Sequence, residues 1–143
     1  MKTISVGLIG FGTIGTGVVK IIQNNASLLE NRLGARLSIK RIADIDIKTK
    51  RDVIISPGCL TTDAYDIIND PQIDIIVELI GGYEPAKTFI LDALSKGKHL
   101  VTANKALLAT YGNEIFKSAH EKKMNIGFEA SVGGTIPIVK TLK

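Results

Sequence analysis

The residues best suited to chemistry lie at three places in the chain. The first is Gly10-Phe-Gly12-Thr-Ile-Gly15, which follows an apolar run at 4–9 and leads into Ile14, Val18, Val19 and Ile22 at helical spacing. Strand, tight turn and helix form the setting in which G-x-G-x-x-G binds a dinucleotide. Gly10 permits the sharp turn out of the strand, Gly12 lets a pyrophosphate approach the backbone, and Gly15 lets helix and strand pack closely. The amides opening the helix then face the anion, and the helix dipole favours it. The second place is Asp44, at the end of an alternating stretch over 36–43. An acid there accepts from the adenine ribose hydroxyls. The usual separation from the glycines is about 20 residues; here it is longer, and Asp46 is the second candidate. The third is Val101-Thr-Ala-Asn-Lys105. An ammonium at 105 could polarise a carbonyl oxygen or relay a proton as hydride moves, and partial burial would lower its pKa toward a useful range. Spacing alone does not separate that role from a surface lysine at a helix start.

These residues need a frame to hold them. Strands are expected at 4–9, 36–43, 74–80, 99–103 and 125–130. Helices are expected from residue 13 onward, with an extension over 24–34 stopped by Gly34, then at 62–69, from Glu84-Pro85 to Gly97, and within 107–123. Residues 47–62 read as a long connection. Such alternation predicts a doubly wound, mostly parallel α/β sheet of Rossmann type. Ligands on such sheets sit beyond the carboxyl ends of the strands. That adds Gly81, in Ile80-Gly81-Gly82-Tyr83, to the candidate cofactor contacts.

Composition narrows the classes. The 143 residues are 45% hydrophobic and 22% charged, enough for one soluble domain with a core. The net charge of +4 is spread without a block of like charge, and only 5% of residues are aromatic, so neither a nucleic-acid patch nor a base-stacking platform is expected. No apolar run would span a bilayer. One cysteine, Cys59, excludes an internal disulfide and a C-x-x-C metal site, which fits a cytoplasmic protein. His99 and His120 have no Cys, His or acid at ligand spacing and read as solvated or capping residues.

Taken together, Gly10-Phe-Gly-Thr-Ile-Gly15, Val77-Glu-Leu-Ile-Gly-Gly82, Val101-Thr-Ala-Asn-Lys105 and Phe128-Glu-Ala-Ser-Val-Gly-Gly-Thr-Ile-Pro137 resemble homoserine dehydrogenase, over the whole chain but only over that family's N-terminal cofactor domain. The resemblance implies NAD(P)-dependent interconversion of L-homoserine and L-aspartate 4-semialdehyde, on the route to threonine, isoleucine and methionine, in an enzyme that forms homo-oligomers. It implies that Phe11, Thr13 and Ile14 touch the pyrophosphate and that Thr102 and Lys105 lie near nicotinamide and substrate. It also implies a monovalent cation, sodium, held by Glu129 and the backbone oxygens of Val132, Gly134 and Ile136. A hard cation prefers such oxygens. Many members carry an arginine after the second strand. Here Ala43-Asp44-Ile45-Asp46 stands there, which favours NAD over NADP, while Lys48, Lys50 and Arg51 could restore NADP binding.

Other readings stay open at this point. One is the cofactor domain of a sugar or inositol dehydrogenase, although Gly97-Lys-His99 leads here to Asn104-Lys105-Ala106 rather than Glu-Lys-Pro. Another is a non-catalytic dinucleotide sensor, and a third is a purely structural domain of the same fold. The family's second lysine belongs to a substrate domain outside residues 1–143. The expectation is therefore a truncated chain that binds NAD weakly and is inactive alone.

Overall fold

The computed structural model describes residues 1–133 and 136–142. The elements run β1 (Lys2–Ile9), α1 (Thr13–Asn24), α2 (Ala26–Leu33), β2 (Ala35–Ala43), β3 (Leu60–Thr61), α3 (Tyr65–Ile68), β4 (Ile75–Glu78), α4 (Ala86–Ser95), β5 (His99–Thr102), α5 (Lys105–Lys122), β6 (Ile126–Gly127), α6 (Glu129–Val132) and α7 (Ile138–Leu142). One sheet carries the strands in the order β3-β2-β1-β4-β5-β6, and every pairing is parallel. This is the doubly wound dinucleotide-binding order, with β1 and β4 at the point where it reverses.

The sheet is covered on both faces, and the sequence encodes this by alternation. Successive residues of a strand point to opposite faces. Leu8, Ile42 and Val77 enter one apolar cluster with Phe11 and Val19. Their neighbours Ile9, Ala43 and Ile76 enter the other, with Ile67, Ile90, Leu94, Leu107 and Ile115 from the helices. The two clusters hold the strand ends in register.

Several local expectations shift. The helix over 13–34 is two helices, because Asn25 leaves helical geometry while its side-chain amide donates to Ile21 O at 2.9 Å. Gly34 ends α2 in the left-handed conformation, as expected. Part of the 47–62 connection pairs with the sheet as β3, through Cys59, whose carbonyl accepts from Ile42 N at 2.8 Å. The helix expected at 62–69 is confined to Tyr65–Ile68. Pro85 precedes α4 as its N-cap rather than entering its first turn. The strand expected over 125–130 is only Ile126–Gly127, and Glu129 opens a helix instead. Among the described residues no helix is long and apolar enough to cross a membrane.

At the end of the sheet away from the glycine turn, Lys98 is buried and donates to Asp70 O (2.6 Å) and Ile73 O (2.7 Å). Lys40 pairs with the Asp70 carboxylate at 2.8 Å, and Gln72 N donates to it at 2.8 Å. The Lys40 contact chiefly holds the Asp70 carboxyl below its ordinary value of 3.8. A carboxyl depressed by folding stabilises the fold above its unfolded pKa, and that contribution is lost as pH falls through the folded one. Urea unfolding across a pH series should therefore find Asp70→Asn less stable by about 1 kcal/mol near neutrality, with the difference closing in acid below the folded pKa.

Candidate functional site

The glycine turn has the geometry its spacing predicts. Gly10 has φ +106°, and a Cβ there would lie 2.8 Å from the Leu79 backbone. A Cβ on Gly15 would lie 2.2 Å from Gly10 O, so the first turn of α1 sits directly on the end of β1. Around Gly12 nothing lies within 4 Å of where a Cβ would stand. Gly12 is the N-cap of α1, without a side-chain cap, and the first helical bond runs from Thr16 N to Gly12 O at 2.9 Å. The amides of Thr13, Ile14 and Gly15 precede it at the positive end of the helix dipole, and the first turn holds no acid. Such an arrangement suits an anion.

On one side of this turn Asp44 follows β2. Its Oδ2 accepts from Phe11 N at 2.5 Å and its Oδ1 from Asp46 N at 2.8 Å. It borders an apolar hollow of about 430 Å³ walled by Ile9, Ala43, Ala64, Leu79 and Phe89. The Phe11 side chain is buried, so what Phe11 offers a ligand is main chain. Arg51 covers its ring, with the guanidinium carbon 5.2 Å from the centroid, and Nε donates to Phe11 O at 3.0 Å. The same guanidinium donates to Thr49 O and lies 3.6 Å from Asp46. Hydrogen bonds from Thr49, then from Lys48, and the Arg51 charge hold the exposed Asp46 carboxyl below its ordinary value. Lys48 and Lys50 are exposed.

On the other side the ends of β4 and β5 meet. Ile14, Glu78, Leu79, Gly81, Ala103 and Asn104 line a hollow of about 100 Å³. Asn104 caps α5 by accepting from Leu107 N at 3.1 Å. Lys105 is the first residue of that helix and is exposed; the partial burial expected of it is not present. Thr102 is fully buried, and its hydroxyl turns inward, donating to Glu78 Oε2 at 2.7 Å. The role of Glu78 was missed at the sequence level. It is 1% exposed, and the available signal was a lone acid within the apolar run 75–80, since buried charges are partnered.

The Glu129 carboxylate caps α7, accepting from Val139 N (3.2 Å) and Lys140 N (2.6 Å). Val132 and Ile136 are exposed, and Ile136 O accepts from Ile138 N at 2.8 Å. Gly134 lies outside the described residues. No cluster of three or more His, Cys, Asp or Glu suited to a metal occurs among the described residues.

Comparison with known proteins agrees with this geometry. Residues 10–129 match the family described as homoserine dehydrogenase, NAD binding domain. Homoserine dehydrogenase of Bacillus subtilis is 48% identical over 143 residues, which is all of this chain and 33% of that protein. That of Pseudomonas aeruginosa is 43% identical, with 32% of its length covered. The chain thus spans about a third of the length of the curated relatives it matches. A crystal structure of a homoserine dehydrogenase from Thiobacillus denitrificans superposes with a TM-score of 0.92 at 45% identity, covering 99% of this chain and 33% of that one.

The space around Gly12 and the crowding at Gly15 separate two effects. Gly12→Ala should leave the melting temperature nearly unchanged while weakening dinucleotide binding at least tenfold. Gly15→Ala should cost about 1–3 kcal/mol of stability. Thermal melts and calorimetric titration of the two variants check both halves.

Proposed function

The chain belongs to the homoserine dehydrogenase family, as its NAD-binding domain, and from that we propose that it serves the reversible reduction of L-aspartate 4-semialdehyde to L-homoserine. The observation that carries this reading is the joint position of the open α1 amides and of Lys105 at the carboxyl ends of one parallel sheet. Diphosphate oxygens accept from the amides of residues 12–15. The adenosine end lies toward Asp44 and the apolar hollow beside it, with Thr13 and Ile14 along the ligand's path and Gly10 and Phe11 contributing main chain. The other end lies toward Gly81, Thr102 and Lys105. When bound, the nicotinamide supplies or accepts the hydride. The Lys105 ammonium faces the carbonyl oxygen and stabilises the charge that grows on it, and this makes Lys105 the catalytic residue within this chain. The small-molecule substrate is an α-amino acid with a side-chain aldehyde or, in the reverse direction, a primary alcohol, and the setting is cytoplasmic, in a homo-oligomeric enzyme.

NAD is the cofactor favoured by Asp44. A carboxylate there repels a 2′-phosphate and suits a 2′-hydroxyl. Arg51, the nearest cation to the glycine turn's main chain, is already engaged with Asp46, Thr49 O and Phe11 O. Calorimetry should find NADH bound at least tenfold more tightly than NADPH, a gap of about 1.4 kcal/mol; a tenfold preference for NADPH overturns the assignment. Lys105→Ala in the full-length enzyme should lower kcat by about 10²–10⁴-fold with little change in NADH affinity.

The cation belongs to the same proposal. Glu129 and the carbonyls of Val132, Gly134 and Ile136 are all hard oxygen donors. Each Glu129 oxygen accepts one amide and retains a further lone pair. A sodium ion there would pin the connection between α6 and α7. Melting in sodium chloride against choline chloride at equal ionic strength should show a sodium-specific rise that Glu129→Gln removes.

A further inference from the structure

A closed ring of hydrogen bonds surrounds the hollow beside Ile14. Glu78 Oε1 accepts from Ile80 N (2.9 Å) and Gly81 N (3.2 Å), and Oε2 accepts from the Thr102 hydroxyl (2.7 Å). The Thr102 Oγ1 accepts in turn from Asn104 N at 3.1 Å. The Asn104 side chain donates from Nδ2 to Gly82 O at 2.7 Å and accepts through Oδ1 from Leu107 N. The ring thus begins and ends on the loop at 80–82, where Gly81 and Gly82 have φ +73° and +70°. On its far side Thr102 O accepts from the Ser131 hydroxyl at 2.7 Å, which ties α6 to the same point.

Glu78 is buried and links both walls of the hollow that it helps to line. One wall is the β4–α4 loop, and the other is the β5–α5 turn that starts the helix bearing Lys105. We propose that Glu78 is a positioning residue: its carboxylate locks the 80–82 loop against the 102–105 turn and so shapes the hollow that receives the nicotinamide ring. This rests on the dinucleotide lying across the sheet's carboxyl end as described above. The adenosine half of the cleft is built mostly from other residues, Asp44, the glycine turn, Ile9, Ala43, Ala64 and Phe89, and shares only Ile80 with the ring.

That division gives the test. ADP-ribose carries the adenosine and diphosphate of the cofactor and lacks the nicotinamide. Glu78→Gln is close to isosteric; its amide oxygen still accepts from Ile80 N and Gly81 N. Its NH₂ group, however, is a donor where the carboxylate was an acceptor: the Thr102 hydroxyl must turn its proton away and accept through its second lone pair, so that link reverses and loses its charge-assisted bond. Asn104→Asp opens the ring at another link, losing the donor to Gly82 O while keeping the α5 cap. Titration of the 143-residue chain should show either variant binding NADH at least fivefold more weakly than the original chain, with ADP-ribose affinity unchanged within twofold. If Glu78→Gln does not fold, Asn104→Asp carries the measurement. Equal losses for both ligands would mean a general structural role and overturn the proposal, as would no loss for NADH. If the unaltered chain binds neither ligand, the underlying cofactor assignment falls and the proposal with it.

Discussion

The contact on which everything else depends is that between the start of α1 and the end of β1. With Gly15 packed where a side chain would strike Gly10 O at 2.2 Å, the helix axis points its first amides at the point where the strand order reverses. A helix held a side chain's width further out would lose the alignment of its dipole with the cleft, and the effect of that dipole falls off within a turn. The sheet's parallel order serves the same end. It brings the carboxyl termini of β2, β1, β4 and β5 to one edge, so loops from distant parts of the sequence share a single cleft.

The two strands that flank β1 end alike. β2 leads into Asp44 and β4 ends in Glu78, and each carboxylate accepts backbone amides from the loops beside it. Asp44 draws the glycine turn toward the 44–46 turn. Glu78 draws the 80–82 loop toward β5. Irregular loops over a strand edge leave amides without ladder partners, and buried amides require acceptors. A carboxylate can accept several at once, which a neutral side chain does less well. The positions of both acids follow from this need as much as from any ligand.

Much of this was legible in the sequence, because short-range geometry leaves strong marks. The glycine turn was readable from Gly10, Gly12 and Gly15 in their strand-to-helix setting. The two-faced sheet was readable from runs such as 74–80, in which neighbouring residues are both apolar. The break at Asn25 was not readable, since one residue departs from helical geometry, its backbone and side-chain amides both bonded to Ile21 O, in an otherwise helical stretch. β3 was missed because two residues carry no periodicity; its pairing to β2 is decided by tertiary contact. Glu129 was read at a strand, and its place at the start of α6, with its carboxylate capping α7, depends on residues ten and eleven positions later.

The site divides along the same line. Residues proposed to meet a ligand through main chain are marked by motif spacing, as Gly12 is; for Lys105 spacing alone left a surface lysine at a helix start open, and the family resemblance singled it out. Residues that hold those in place act through buried bonds between segments far apart in sequence. Glu78 and Thr102 are 24 positions apart, and Asn104 and Gly82 are 22. Nothing local distinguishes Glu78 from a surface acid except that the strand around it is apolar on both faces. In a parallel strand covered by helices that exception is itself informative: a charge there must have partners, and at the carboxyl end its partners are the loops that form the cleft.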